Sequence, residues 1–456
     1  MNGLGSYGGL KVAVLVGIAV VKNVGAVGQP SFCRLTTCEE SLHQMVNFLD
    51  WNKLALTFEF SKLSPYITQM PYPRVLADAL QKAARQFPAV VLTGPRRSGK
   101  TTLVRHAYPK AAYRLLEDPD LLMRVRADPR GFLDDLPTPA ILDEIQNAPE
   151  LFAYVRTLID QAPTKKGRWF LTGSQEAPLM QGVTESMAGR AALLELLPLS
   201  IEEAPKVSLL LGGYPEVLAR PRSRDLWFRS YIQTYIERDV RQLLAVRDLS
   251  TFRRFMSLVA SRVGQVLNKT DLAAPLGVSI PTIAEWLSVL ETTGILLLVP
   301  PYFENLGKRL IKSPKLYLVD SGLSCHLLGI ESERMLENSP FRGALFEGFV
   351  AAELLKAQVN RGRRRALYYF RDQQGLEVDF LLPERDARFA IIEARASRTV
   401  TPSMADAIVR LRSSAKSKVT RSFIVHIPSK TNVTGMVREG VSAVSLRELI
   451  DRTFKM

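Results

Sequence analysis

Gly94-Pro95-Arg96-Arg97-Ser98-Gly99-Lys100-Thr101 sets two glycines, a lysine and a hydroxyl in the spacing G-x-x-x-x-G-K-S/T. Glycine permits backbone angles and close approaches that a Cβ would obstruct. Successive amides then point at phosphate oxygens, aided by the positive end of the following helix. Such a cradle takes a nucleoside triphosphate, ATP. Lys100 reaches the β- and γ-phosphates, the Thr101 hydroxyl ligates Mg²⁺, and Thr102 completes the set of nucleotide-binding residues. Asp143 and Glu144 end the apolar run Ala140-Ile141-Leu142. Two acids at the tip of a buried strand are costly unless they meet a cation or lie at the sheet edge where ligands bind. Beside a phosphate cradle, Asp143 reads as the Mg²⁺-holding acid and Glu144 as the group that polarises an attacking water.

Two further signals accompany the cradle. Trp169-Phe170-Leu171 runs into Thr172, Ser174 and Gln175, which places a polar side chain near the γ-phosphate. Arg190, in Ser186-Met187-Ala188-Gly189-Arg190, is a candidate charge-stabilising finger. A separate constellation comprises Glu347, Asp379, Glu393 and Arg395. Glu393 and Arg395 are two apart and share one face of a strand. Asp379 on a paired strand and Glu347 on a preceding helix would come alongside. Acids so grouped form a second candidate Mg²⁺ site, able to activate water against a phosphodiester. Arg395 stays protonated and cannot act as a base. Retention of the same charges in a salt-bridged scaffold is therefore the competing expectation.

The elements that must position these groups follow from periodicity. Pro73 to Gln86 has helical spacing of Val75, Leu76, Ala79, Leu80 and Ala83, and Pro88 stops it. Strands are expected at 89–92, 113–116, 140–142 and 169–172, with helices at 100–106, 121–127 and 151–161 between them. This alternation predicts an α/β fold, a parallel sheet with helices on both faces. A long helix is expected from Leu226 to Val246. Lys269 to Leu287 has a helix-turn-helix look, with Ala273 small, Gly277 at the turn and Ile283 packing back. Strands at 295–299 and 310–319 would be its wing. The second helix, Pro281 to Glu291, carries few basic side chains, so a structural or protein-contacting role is favoured over DNA binding. Beyond Phe341 a helix to Val359, a basic cluster (Arg361, Arg363, Arg364, Arg365) and strands at 375–382 and 389–394 follow.

A chain of 456 residues is too long for one ordinary core. The expected divisions are an N-terminal extension over 1–69, a nucleotide-binding domain over 70–205, a helical and winged-helix region over 206–325 and a C-terminal domain over 326–456. The net charge of +15 favours contact with nucleic acid or another polyanion. Three cysteines without C-x-x-C spacing support neither a disulfide framework nor a zinc site, and the cytoplasm is the expected compartment. The apolar run Val12 to Val21 is too short to span a bilayer. It reads either as a signal-peptide core or as part of an upstream extension of the reading frame, and dependence on cellular ATP favours the extension.

The segments VVLTGPRRSGKTTL, AILDEIQNAPELFAYVRTLID, WFLTGSQ, ESMAGRAALLELLPLS, GGYPEVL, YIQTYIERDV, YLVDSGL, GALFEGFVAAELL and GLEVDFLL…IIEARAS occur in that order. Together they resemble a prokaryotic family of AAA-type ATPases with a C-terminal domain of unknown function, from about Met70 to the end. The resemblance implies an AAA-type ATP-binding domain, a helical and winged-helix middle, and a C-terminal α/β domain like the PD-(D/E)XK nuclease fold. It maps the sensor position onto Ser174 or Gln175 and the Ala-Gly-Arg arginine onto Arg190. The nuclease pattern wants Lys where Arg395 stands, a departure that argues against cleavage. AAA-type domains often supply an arginine across a subunit boundary, so the resemblance also suggests a homo-oligomer. Two functions are expected from all this: ATP hydrolysis that drives or switches the C-terminal region on a protein partner, or a nucleic-acid-binding or nuclease module regulated by ATP.

Overall fold

The computed structural model describes residues 72–174, 185–236, 248–302, 313–428 and 435–455. The N-terminal 69 residues, Gln175 and the charged set Glu237, Arg238 and Asp239 lie outside the described residues. Helix α1 (Leu76–Gln86) buries Leu76, Leu80, Ala83 and Ala84 and ends before Pro88. Strand β1 (Ala89–Thr93) is buried throughout and leads through the Gly-rich turn into α2 (Lys100–Ala107). Then come β2 (Ala112–Leu115), α3 (Pro119–Ala127), β3 (Ala140–Asp143), α4 (Leu151–Asp160), β4 (Trp169–Thr172) and β5 (Ala191–Glu195). Asp118 caps α3 by accepting from the amides of Asp120 and Leu121.

The five strands are parallel in the order β2-β3-β4-β1-β5. Residues of β1 alternate between two cores, as a period of two requires. Val90 and Leu92 pack with Leu76 and Leu80 of α1 and Leu103 of α2. Ala89 and Val91 pack with Val125 of α3 and Leu151 and Phe152 of α4 on the other face. Helices therefore cover both faces. The insertion of β4 between β1 and β3 sets its polar tip between the Gly-rich loop and the acidic strand end.

The chain continues through α5 (Pro215–Ala219) and α6 (Arg224–Tyr231). The helix expected over 226–246 does not stay α-helical: at Ile232–Ile236 it widens into a π turn. Helix α7 (Leu249–Ser261) precedes α8 (Lys269–Ala273) and α9 (Ile280–Thr292), which cross at 111° about a turn where Gly277 has φ +67°. Strands β6 (Leu296–Val299) and β7 (Lys315–Leu318) pair antiparallel behind them. After α10 (Ser321–Leu327), the long helix α11 (Arg342–Val359) leads to a six-stranded mixed sheet. Its strands are β8 (Tyr368–Arg371), β9 (Glu377–Pro383), β10 (Phe389–Arg395), β11 (Val419–His426), β12 (Gly435–Arg438) and β13 (Val441–Ser445), ordered β12-β13-β11-β10-β9-β8. Helices α12 (Asp406–Ala415) and α13 (Leu446–Phe454) flank it.

One apolar core runs from Leu197 through Phe252, Trp286 and Tyr317 to Val350, Phe380 and Phe454. The segments on either side of residue 325 thus share an interior. Helix α11 explains why, since it is buried along most of its length. Its internal ion pair Glu353–Lys356 (2.8 Å) accepts from the Ile201 amide (2.8 Å) and donates to the Leu199 carbonyl (3.1 Å). The Gly212-Gly213 turn, whose purpose the sequence leaves undefined, docks on the Tyr-Leu-Val-Asp-Ser-Gly-Leu segment. The Gly213 amide donates to Asp320 Oδ2 (2.7 Å), and Asp320 Oδ1 accepts from the Leu323 amide (3.0 Å). A Cβ on Gly213 would overlap the Leu199 carbonyl. Gly213→Ala should lower stability by about 1–3 kcal/mol, read as a lower urea midpoint with unchanged slope. An unchanged midpoint contradicts this packing.

Candidate functional site

The Gly-rich loop is shaped by two different demands on its glycines. Gly94 (φ +138°) lies against the Leu196 backbone, where a Cβ would overlap the Leu196 carbonyl. A Cβ on Gly99 would meet Arg74 Nη1 at an ordinary 3.7 Å, so its requirement is conformational, with φ +98° as α2 begins. Arg97 also takes a positive φ of 63°. Lys100 is buried, and its ammonium donates to the carbonyls of Gly94 and Pro95 (3.0 Å each). The buried Ser98 hydroxyl finds no hydrogen-bond partner among the described residues.

Asp143 comes to this loop from the tip of β3, 2% exposed. Its carboxylate accepts from Thr101 Oγ1 (2.8 and 3.1 Å), from the Tyr113 hydroxyl (2.8 Å) and from Thr172 Oγ1 at the tip of β4. Burial, then the charge of Asp143, pushes the Tyr113 hydroxyl pKa up, so it stays a donor. Glu144 follows in the left-handed region (φ 57°). Gln146 Nε2 donates to Glu144 Oε2 (2.5 Å) and to Ser174 Oγ (3.1 Å). The sequence-predicted Glu144 and Ser174 are thereby held through one amide.

These groups line a cleft of about 420 Å³ with Arg96, Arg97, Gly99, Lys100, Thr101, Thr102, Asp143 and Glu144 in its wall. Pro215 and Glu216 close its far side, with Arg97 Nη1 3.6 Å from Glu216 Oε1. A hydroxyl and a carboxylate adjoining a cradle of amides, with an ammonium beside it, are the donor set a triphosphate and Mg²⁺ need. The residues fit both.

Arg190 lies elsewhere. Its carbonyl accepts from the Ala89 amide at the start of β1 (3.3 Å), whereas the Gly-rich loop leaves the other end of that strand. Its guanidinium holds Asp160 bidentately (2.7 and 3.0 Å). Arg190 does not reach the cradle of its own chain. This corrects the finger expectation within one subunit. The turn that carries it precedes β5 and sits at the wrong end of a parallel strand.

The C-terminal acids come together, but around a cation that sequence reasoning missed. Lys315 on β7 is 2% exposed, and its ammonium lies 2.9 Å from Glu347, 2.6 Å from Glu377 and 3.6 Å from Asp379. Arg395 closes the other side, 3.4 Å from Asp379 and 2.6 Å from Glu393, the latter outside hydrogen-bond geometry. Among the described residues no group of three His, Cys, Asp or Glu is placed to hold a metal ion. The second Mg²⁺ site expected at Glu347, Asp379 and Glu393 is corrected accordingly: the Lys315 ammonium sits among Glu347, Glu377 and Asp379, and Glu393 faces Arg395. Burial opposes charge on Lys315, but Glu347, Asp379 and Glu377 outweigh it and raise its pKa. One ammonium cannot satisfy so many carboxylates. Burial, then the charge of Asp379, raises Glu347 to about 7, and burial likewise pushes Glu393 well up.

Residues 86–204 match the AAA domain family, 203–334 a domain of unknown function (DUF8612) and 342–449 a further domain of unknown function (DUF4143). The uncharacterized proteins Rv2008c of Mycobacterium tuberculosis and Mb2031c of Mycobacterium bovis are each 34% identical over 349 residues, 74% of this chain and 78% of theirs. The chain belongs to their family. It is an AAA-type P-loop ATPase with a C-terminal domain of unknown function. Among solved structures, the Walker-type ATPase of Pyrococcus abyssi is 15% identical, with a TM-score of 0.34, over 55% of this chain and 94% of that one. AMPPCP-bound DnaA from Aquifex aeolicus is 14% identical, with a TM-score of 0.25, over 48% and 86%. At such scores the fold assignment stands on the strand order and the P-loop instead. No single helix among the described residues is long and apolar enough to cross a membrane.

Other side chains of this ATPase escaped the sequence. Arg74 and its partner Glu203 are 129 residues apart and carry no motif. Gln146 lies two residues past Glu144, so its proximity was available from spacing alone. Glu347 supplies a pH test of the C-terminal cluster. It ionises near 4.5 when unfolded and near 7 when folded, so the folded state binds the extra proton between those values. Its contribution to stability is present below pH 4.5 and is lost as pH rises through 7. Glu347→Gln should flatten that stretch of the urea-stability curve against pH, and an unchanged slope contradicts the raised Glu347 pKa.

Proposed function

We propose that this ATPase hydrolyses ATP at the P-loop cleft and uses the cycle to drive or switch its C-terminal region on a partner. The observation that carries the reading is the pairing of Asp143, facing the Thr101 hydroxyl, with Glu144 at the cleft wall. Loop amides from Gly94 to Thr102 cradle the phosphates. Lys100 leaves the Gly94 and Pro95 carbonyls to bridge the β- and γ-phosphates. Thr101 and Asp143 are the residues that would hold Mg²⁺, which when bound neutralises phosphate charge. Glu144 orients a water and takes its proton as the oxygen attacks the γ-phosphorus, while the bond to the β-phosphate oxygen breaks and that oxygen leaves with its electron pair. Gln146 fixes the aim of Glu144 and links it to Ser174. An arginine from a neighbouring copy would complete charge stabilisation in a homo-oligomer.

Transmission is supported by contacts on the loop itself. The Tyr231 hydroxyl donates to the Arg96 carbonyl (3.3 Å), Glu216 pairs with Arg97, and Gly294 lies against Pro95. A loop that rearranges around a triphosphate pushes on all three. The α8–α9 turn with the β6–β7 pair supports a winged-helix reading. The exposed face of α9 carries Glu285, Ser288 and Glu291 without Lys or Arg, which favours a protein contact over DNA.

A second reading, a Mg²⁺-dependent nuclease regulated by ATP, draws support from the antiparallel β8-β9-β10 unit joined in parallel to β11, with carboxylates on β9 and β10. Neutralisation of those carboxylates by Lys315 and Arg395 favours a scaffold. Incubating labelled DNA with Mg²⁺, against Asp379→Ala, decides it: metal-dependent cleavage lost in the variant would establish the nuclease.

Glu144→Gln should bind ATP as tightly as the wild type and turn it over about 10²-fold or more slowly. Lys100→Ala should lose Mg²⁺-dependent turnover altogether. Wild-type turnover in either variant, measured as phosphate release, refutes hydrolysis at this site.

A further inference from the structure

A second cleft, of about 560 Å³, is lined by Arg363, Arg364, Arg385, Arg388 and Arg421, with Glu384 among them. It lies at the hairpin end of β9 and β10, away from the Asp379–Glu393 cluster. The arginines come from three separate segments, each held in place. The loop after α11 is clamped by Gln358, whose side chain accepts from the Ala366 amide (2.7 Å) and donates to the Ala366 carbonyl (3.2 Å). The β9–β10 turn is closed by Glu384 N to Arg388 O (2.7 Å), with Asp386 and Ala387 at φ 61° and 55°. Arg421 projects from β11, with its guanidinium on Glu384 and on the Arg452 carbonyl (2.5 Å).

Glu384 pairs with Arg421 and Asp386 with Arg388. Arg364 and Arg385 make no ion pair or side-chain hydrogen bond among the described residues, and both are exposed. Two of the five guanidinium groups are thus paired with carboxylates, and Arg363, Arg364 and Arg385 leave a solvated excess of positive charge at the cleft that attracts anions at little cost to the fold. Guanidinium forks match phosphate oxygens in bidentate geometry. Three segments around one open cleft exceed what a single phosphate would engage, and they suit successive phosphates on one strand. Phe454 offers no stacking platform, because it is 7% exposed and lies beneath Arg361 and Arg363.

We propose that this cleft binds the phosphodiester backbone of a nucleic-acid strand without reading its bases. The site is separate from the nucleotide cleft and independent of whether the C-terminal domain cleaves anything. The test is fluorescence anisotropy with labelled single-stranded and duplex oligonucleotides across a salt series, on the full chain. Arg364→Ala/Arg385→Ala should weaken binding at low salt roughly tenfold or more, alike for unrelated sequences. The slope of log affinity against log salt should fall by about two. ATP turnover and the urea midpoint should stay at wild-type values. Arg126→Ala/Arg130→Ala, which removes equal charge from the exposed surface of the ATPase domain, should change affinity little. Wild-type affinity and slope in the cleft variant, or an equal loss in the control variant, overturns the proposal. So does binding of inorganic phosphate with no oligonucleotide binding, which would make the cleft a small-anion site.

Discussion

The phosphate cradle works only if its amides face inward, and that forces the loop's carbonyls to find partners elsewhere. Arg74 supplies one from outside the loop. Its buried guanidinium donates to the Ser98 carbonyl (2.8 Å), the Leu197 carbonyl (2.6 Å) and Glu203 (3.1 Å). Lys100 satisfies the Gly94 and Pro95 carbonyls from inside. Burial works against charge on Arg74, and Glu203 opposes that effect. Glu203 also accepts from the amides of Val75 and Ser200, so one carboxylate ties α1 to the chain leaving β5. Removing one member of such a buried pair leaves an uncompensated charge and costs about 3–5 kcal/mol. The pair is best understood as fixing the shape of the loop, with its net stabilisation secondary.

The same stretch of chain, from Leu196 to Glu216, touches the P-loop, α10 and α11. Leu196 lies against Gly94, Ile201 and Leu199 bind the Glu353–Lys356 pair of α11, Glu202 binds Arg361 (2.8 and 2.9 Å), and Gly213 binds Asp320. Residues distant in sequence thus converge on one backbone segment beside the nucleotide. Packed backbone contacts link the chain beside the loop to α11 and to the start of α10.

The ATPase fold was legible because its signals are local. Alternating apolar runs give β1, β3 and β4, and the positions Gly94, Lys100, Thr101, Asp143 and Glu144 follow from turn chemistry and strand ends. Illegible features depend on pairings far apart in the chain or on the end of the sheet a residue occupies. Arg190 carries a plausible local pattern, yet parallel strand order sends it away from the phosphates. Lys315 reads as an ordinary strand residue until the fold brings α11 and β9 around it. The acids at 347, 379 and 393 were recognisable as a group, but the cation set between Glu347 and Asp379 was not. Helix α6 shows the reverse case: its composition favours continuation, and the backbone nonetheless opens into a π turn beside the loop it contacts.

The central claim is that the Gly94–Thr101 amides and the Asp143 tip together form a site for a metal-bound triphosphate. Calorimetric titration of ATP into folded protein, with and without Mg²⁺, addresses it most directly. The account requires one nucleotide per chain, bound more tightly when the metal is present, with that gain abolished by Asp143→Asn. Heat of binding that is absent, or that is indifferent both to the metal and to the Asp143 carboxylate, would contradict it.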